Sequence, residues 1–335
     1  MIEFDHLKTI AKEIGNAIKS RKKIGPQRIL VTGGAGFIGS QLLGRLTEQG
    51  HNAVGIDNFN SHLYDASVKR ERVRVMNLTV LDGDLRDEYA MKVMITTMQP
   101  TFIFHLGALA GVRDSYGKER DYHSSNIDGT QTLIEQTKAI VPDCRVIYAS
   151  TSSVYSSTKE LPWKEDNVQA HQLNPYSYTK YANECMFKMS GLNNTGLRFF
   201  TVYGPWGRPD MALFDFTKKI LAGEEIEVYN YGDMKRDFTF VDDIIDGILC
   251  VMVNPTESGE IYNIGRGRQV PIMDFIGEIE KNCGVKAIVK LSPPHPADAL
   301  ETWSDTSKLE ALGYSPSTDI VTGIKRFYEW YVKYN

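Results

Sequence analysis

No stretch of this 335-residue chain stays apolar for the roughly 18 residues that a membrane-spanning helix needs. Cysteine is scarce. The four thiols, Cys144, Cys185, Cys250 and Cys283, lie far apart with no CxxC pair, which excludes a disulfide framework or metal cage and reads as reduced thiols. An excess of positive charge is also missing. Lys+Arg 38 against Asp+Glu 42 leaves a formal charge of −4, so no global field draws nucleic acid or an anionic membrane surface. The first residues lack the order of a secretory signal: Glu3 and Asp5 precede the apolar positions, and Lys19, Arg21, Lys22 and Lys23 follow them. Internal repeats and low-complexity tracts are absent as well. What remains is ordinary globular composition, 42% hydrophobic and 24% charged. The expectation is a soluble cytoplasmic protein without metal, nucleic-acid or membrane partners, built as one large α/β domain or two interlocked ones.

Residues 1–26 read as an extension. Phe4, Leu7, Ala11, Ile14 and Ile18 recur at helical spacing, and Gly25-Pro26 ends the segment. The plain expectation is a helix packed on its own subunit, the sharper one an oligomerisation helix. From Arg28 the pattern becomes short apolar runs alternating with helical stretches. Expected strands are Ile29–Thr32, Ala53–Asp57, Val80–Gly83, Phe102–Leu106, Val146–Ser150 and Gly196–Phe200. Strand and helix in alternation imply parallel pairing with right-handed crossovers, hence a Rossmann-type doubly wound sheet. Beyond Tyr203, Gly, Pro and loop residues become more frequent, and a smaller substrate-binding lobe is expected there. The division is 27–203 plus 235–266 for the sheet domain and 204–234 plus 267–335 for the second.

The first strand runs directly into Gly33-Gly34-Ala35-Gly36-Phe37-Ile38-Gly39, followed by helical spacing at Ile38, Leu42 and Leu46. Gly33 permits a tight turn, Gly36 lets the backbone approach a pyrophosphate, and Gly39 allows close helix–strand packing. This GxxGxxG turn is a weak signal alone, but the strand–turn–helix context that it requires is present. Asp57, with Asn58 after it, ends the next strand. A carboxylate there accepts hydrogen bonds from a ribose 2′-OH and repels a 2′-phosphate, which favours NAD over NADP. Asp84-Leu85 after the third strand suits an adenine contact.

Tyr176 and Lys180 stand four residues apart, on one face if helical. The expectation is that the ammonium lowers the phenol's pKa toward neutrality and makes it an acid/base. A hydroxyl-rich strand end precedes them, Ser150-Thr151-Ser152-Ser153, from which a hydroxyl can bridge a substrate alcohol to Tyr176.

With these motifs in this order, the chain from about Arg28 onward resembles an extended short-chain dehydrogenase/reductase of the nucleotide-sugar epimerase/dehydratase group. The resemblance implies Thr151, Tyr176 and Lys180 as catalytic triad. It also implies an NAD that stays bound through turnover, accepting a hydride from a sugar carbon as the hydroxyl proton leaves. Dehydratase-like members carry Asp-Glu after the strand-end Thr, and decarboxylase-like members a Glu just before Val-Tyr; Ser152-Ser153 stand here instead. Epimerisation remains.

The blocks Gly196–Met211 and Tyr229–Phe238 resemble those of UDP-glucuronate 4-epimerases. That likeness implies that Thr151, Ser152, Ser153 and Thr201 surround the sugar carboxylate. It further implies that Arg208 and Arg236 meet the diphosphate, that Asp298 meets the uridine ribose, and that Arg113 joins the substrate contacts. The expected reaction is UDP-glucuronate to UDP-galacturonate through a 4-keto sugar without loss of CO2. A UDP-hexose or UDP-N-acetylhexosamine 4-epimerase is the alternative, and a homodimer the expected assembly. The chain departs from the family at Gly107, where Ala is usual, at Ser156, where Gly is usual, and in a shortened segment between Lys180 and Arg198. A non-catalytic NAD-binding protein on the same fold is the reading from another class; such proteins usually lose the Tyr or the Lys, and both are here.

Overall fold

Seven parallel strands form the central sheet of the computed structural model, which describes residues 24–295 and 299–334. In chain order the first six are β1 (Arg28–Thr32), β2 (Asn52–Asp57), β3 (Val80–Asp82), β4 (Phe102–His105), β5 (Arg145–Thr151) and β6 (Asn194–Phe199). These match the expected strands. The seventh, Glu260–Ile264, pairs in register with β6 and was not expected as a strand. Its residues, Glu-Ile-Tyr-Asn-Ile, offer only a short apolar alternation, and their partner lies far back in the chain. Strand order is Glu260–Ile264, β6, β5, β4, β1, β2, β3. The direction of winding therefore reverses between β1 and β4, and the crevice outside those two strand ends is where such sheets bind ligands.

Helices cover both faces. α1 (Phe37–Glu48) buries Leu42, Leu43 and Leu46, and α2 (Ala66–Val75) follows β2. α3 (Glu88–Met98) and α5 (Gly129–Ile140) pack together on the other face, with the short α4 (Glu119–His123) leading into a π-helical turn, Ser124–Asp128. α6 (Pro175–Ser190) starts sharply. Asn174 caps it, its Oδ1 accepting from Ser177 N at 2.8 Å, and Pro175 supplies the fixed φ of a first helical residue. Gly191 ends α6 in the left-handed region, and β6 begins at Asn194, so the short Lys180–Arg198 segment is a compact exit and not a shortened helix.

The rest of the chain forms small sheets and helices over the strand ends. β7 (Thr201–Tyr203) pairs with Phe238–Phe240, and Glu225–Val228 with Ile288–Leu291, while Lys235–Arg236 runs against Val270–Pro271. One apolar cluster runs from Ile29 and Leu43 through Phe199 and Ile248 to Phe275 and Phe327, so these elements share a core with the large sheet. The helix expected within residues 1–26 lies largely outside the described residues. Among the described residues, no helix is long and apolar enough to cross a membrane.

A buried ion pair joins α6 to the sheet. Arg198 on β6 donates to Glu184 through Nε at 2.9 Å and Nη2 at 2.8 Å, with the two side chains 4% and 5% exposed. Glu184 also accepts from Ser150 Oγ at 2.5 Å, and Arg198 Nη1 donates to Tyr155 Oη at 2.7 Å. Removing one partner strands a buried charge. Glu184→Gln is therefore expected to lower unfolding free energy by about 3–5 kcal/mol, with Glu184→Gln/Arg198→Met recovering most of it. Urea unfolding checks this; a single-variant loss under about 1 kcal/mol, typical of an exposed pair, would refute it.

Candidate active site

At the crevice between β1 and β4 the backbone crowds itself. A Cβ at Gly39 would lie 2.1 Å from Gly33 O, and Gly33, with φ +68°, would bring one within 2.8 Å of Gly107. Only glycine fits such approaches. The turn delivers the chain to the N-terminus of α1, where Gly36 offers no side-chain cap and the first N–H groups face a cavity. These groups suit the pyrophosphate of a dinucleotide.

The cavity, of about 840 Å³, is lined by Gly33, Gly36, Phe37, Ile38 and Gly39 at one end. Asp57, Asn58, Asp84 and Leu85 line it too. Asp57 is 8% exposed, and its carboxylate is already well occupied. Oδ1 accepts from Phe59 N at 2.9 Å and from Lys69 Nζ at 3.3 Å, and Oδ2 from Ala35 N at 3.3 Å. Asp84 is held well below the usual carboxylate range, chiefly by hydrogen bonds from Arg86 and then from Asn58. Asp84 therefore remains a charged acceptor. Gly107 stands where a methyl group would meet Leu85 Cδ1 at 2.9 Å, so the departure from Ala leaves room for that side chain.

Thr151, Tyr176 and Lys180 meet on the cavity wall. Tyr176 lies in the first turn of α6 and Lys180 one turn on, while Thr151 ends β5. The Thr151 hydroxyl stands near enough to act on the phenol. Burial raises the Tyr176 pKa above its ordinary value, with Thr151 and the Arg208 charge pulling it down. This corrects the expectation that Lys180 does the lowering. Lys180 is 2% exposed, and burial pushes its own pKa to about 8 while Glu184 works against that shift. Behind it, His105 is pushed down to about 3 by burial and then by Lys180, so the ring is neutral between Thr32 Oγ1 at 2.8 Å and Thr130 Oγ1 at 2.9 Å.

Ser152, Ser153 and Thr201 line the same cavity next to Thr151. Thr151 Oγ1 lies 3.2 Å from Ser153 Oγ and accepts from Ser153 N at 3.1 Å. Ser156, the other departure, also lines the cavity. Arg113, Arg208 and Arg236 line it as well, Arg208 near enough for its charge to act on Tyr176. The Arg113 guanidinium lies 4.1 Å over the Tyr229 ring. Arg208 shares its fork with Asp210 at 3.1 and 2.5 Å, so any anion reaching it must compete with that carboxylate. Arg236 Nη1 donates to the carbonyls of Lys235 at 3.0 Å and Leu300 at 2.9 Å. Asp298 lies outside the described residues.

Several site residues were missed from sequence. Lys69 and Arg72 point inward from α2, a helix so rich in charge that it reads as a solvated face. Asn126 locks the loop after β4: its Oδ1 accepts from Leu109 N at 2.7 Å, and its Nδ2 donates to Leu109 O and Thr179 Oγ1, both at 3.0 Å. A lone asparagine gives no sequence signal for that role.

A family model described as the NAD dependent epimerase/dehydratase family matches residues 29–265. UDP-glucuronate 4-epimerase 4 of Arabidopsis thaliana is 37% identical over 332 residues, covering 91% of this chain and 75% of that one. The UDP-glucuronic acid 4-epimerase of Bacillus cereus, solved with UDP-glucuronic acid and NAD, superposes with a TM-score of 0.84 at 33% identity, covering 91% and 99% of the two chains. The UDP-glucose 4-epimerase of Thermotoga maritima, solved with UDP-glucose, gives 0.81 at 30%, covering 91% and 98%.

The Lys180 shift carries a sign. Its folded pKa, near 8, lies below the ordinary 10.5, so between those values the unfolded chain binds a proton that the folded chain lacks. Stability from this group therefore rises with pH across that window and carries a constant cost below it. Lys180→Met is expected to flatten the rise in unfolding free energy between about pH 8 and 10.5. Denaturant titrations at several pH values measure this; slopes equal to wild type would refute it.

Proposed function

The chain belongs to the NAD-dependent epimerase/dehydratase family, and from that membership we propose that it interconverts UDP-glucuronate and UDP-galacturonate at C4, keeping the carboxylate. It is an NAD-dependent nucleotide-sugar 4-epimerase. The observation that carries the finer reading is the wall of hydroxyls, Thr151, Ser152, Ser153 and Thr201, where acid-bearing relatives would place an extra proton donor. Hydroxyls hold a carboxylate by donation without adding charge.

The glycine turn, the α1 N-terminus and Asp57 fit the dinucleotide. When bound, NAD supplies reversible acceptance of hydride from the sugar's C4. The protein's own work is proton handling and orientation. Thr151 and Tyr176 bracket the position for the C4 hydroxyl; Tyr176 in its phenolate form, which Thr151 and the Arg208 charge favour, takes the proton during oxidation and as the phenol returns it after the keto sugar has turned over. Arg208 and Arg236 hold the diphosphate end while the sugar reorients. Oxidation at C4 places a ketone β to the C6 carboxylate, and such acids lose CO2 when the breaking bond aligns with the carbonyl π system. The hydroxyl wall keeps the carboxylate out of that alignment. The exposed Tyr178 and Met189 on α6 are in keeping with a homodimer, which light scattering tests.

Tyr176→Phe is expected to cost at least about a hundredfold in turnover, the lower end of a general acid/base contribution. Activity within a few-fold of wild type would move the proton transfer elsewhere. Each hydrogen bond to the carboxylate contributes roughly 1.5–3 kcal/mol, so Thr201→Ala should raise the ratio of UDP-4-keto-pentose to UDP-galacturonate. NMR of products from UDP-glucuronate, beside UDP-glucose and UDP-N-acetylglucosamine, tests the substrate. Wild type forming mainly the pentose, or turning over UDP-glucose faster, would sink the uronate reading in favour of the hexose alternative.

A further inference from the structure

Arg72 is fully buried on α2, yet no carboxylate among the described residues pairs with it. Its guanidinium instead spans two carbonyls from distant loops. Nη1 donates to Ala35 O at 2.5 Å, inside the glycine turn, and Nη2 donates to Trp206 O at 2.8 Å. Nε has no partner. A buried cation answered only by carbonyls is costly to maintain, so its position calls for an explanation.

The second loop explains it. Trp206 has φ +60°, unusual for a bulky residue, with its ring turned outward against Trp330 at 5.0 Å and Tyr334 at 5.1 Å while its carbonyl meets Arg72. Two residues on, Arg208 enters the cavity, and its charge acts on Tyr176. A second tie runs in parallel: Gln41 Nε2 of α1 donates to Pro205 O at 3.1 Å. The turn that faces the dinucleotide and the loop that carries Arg208 are thus fastened to each other behind the cavity wall.

We propose that Arg72 is a positioning residue that couples the dinucleotide end of the cavity to its nucleotide-sugar end. The proposal rests on the reading of the cavity as an NAD and UDP-sugar site. Ordering the Arg208 loop by ligand holds Ala35 and the glycine turn in place through Arg72. By reciprocity, a ligand at either end strengthens the other's hold.

The test uses the purified holoenzyme and UDP as probe, following release of bound NAD with and without saturating UDP. In wild type, UDP should slow release by about fivefold or more, the lower range of ordinary couplings. In Arg72→Met the two rates should become nearly equal, whatever the absolute rate. A merely structural role for Arg72 would speed both and leave their ratio unchanged, which overturns the proposal. Should Arg72→Met not fold, Arg72→Lys serves: it keeps the charge but lacks the two-pronged fork, so the ratio should fall well below wild type, and an unchanged ratio again overturns the coupling. UDP that binds wild type without slowing release also defeats it. No binding of UDP by wild type would instead defeat the nucleotide-sugar reading on which it stands.

Discussion

Everything in this molecule is arranged around a backbone that has no room for side chains. Where β1 meets the glycine turn, Gly39 lies against the Gly33 carbonyl and Gly33 against Gly107 of the loop after β4. That crowding sets the distance between two strand ends, fixes the entry of α1, and aims its uncapped N–H groups outward. A single methyl group at Gly39 has nowhere to go but through the turn. The cavity's other walls are then referenced to this point by polar ties: Asp57 to Ala35 N, Thr32 to Gly107 N at 3.0 Å, and Arg72 to Ala35 O.

The catalytic wall is organised differently, by charge buried in layers. Tyr176 and Lys180 face the cavity. Behind them lie neutral His105 and the Glu184–Arg198 pair, and behind that Tyr155 Oη donates to Asn263 Oδ1 at 2.7 Å on the seventh strand. Low dielectric makes each layer sensitive to the next. Burial lowers the Lys180 pKa and Glu184 raises it again, so a carboxylate buried behind the wall still tunes an ammonium that faces the cavity.

Much of this was legible in the sequence because it is local. The glycine turn, Asp57, the hydroxyl strand end and the Tyr176/Lys180 pair are runs of a few residues whose geometry follows from strand–turn–helix context. The six strands up to Phe200 announced themselves by apolar runs. Illegible features share one cause, partners that are remote in the chain. Lys69 and Arg72 sit in Lys-Arg-Glu-Arg-Val-Arg, which reads as a solvated helix face until β2 and the Trp206 loop are placed beneath it. The Tyr176 pKa was misread because spacing shows Lys180 but not the burial and the Thr151 and Arg208 contacts that dominate. Glu260–Ile264 lacks the apolar run of the other strands, and its partner β6 lies some sixty residues back in the chain.

That last strand has a consequence for how the chain is made. During synthesis β6 emerges long before Glu260–Ile264, and until the later strand arrives it is an open edge, all six of its residues destined for burial. Unpaired edges of this kind invite pairing with other chains. The nascent protein therefore carries a sticky seam through the whole production of the segment that later covers the cavity. Ribosome pausing or premature termination within that interval would leave a cofactor-binding half whose exposed edge favours aggregation, so quality control of this protein is a matter of translation timing as much as of final stability.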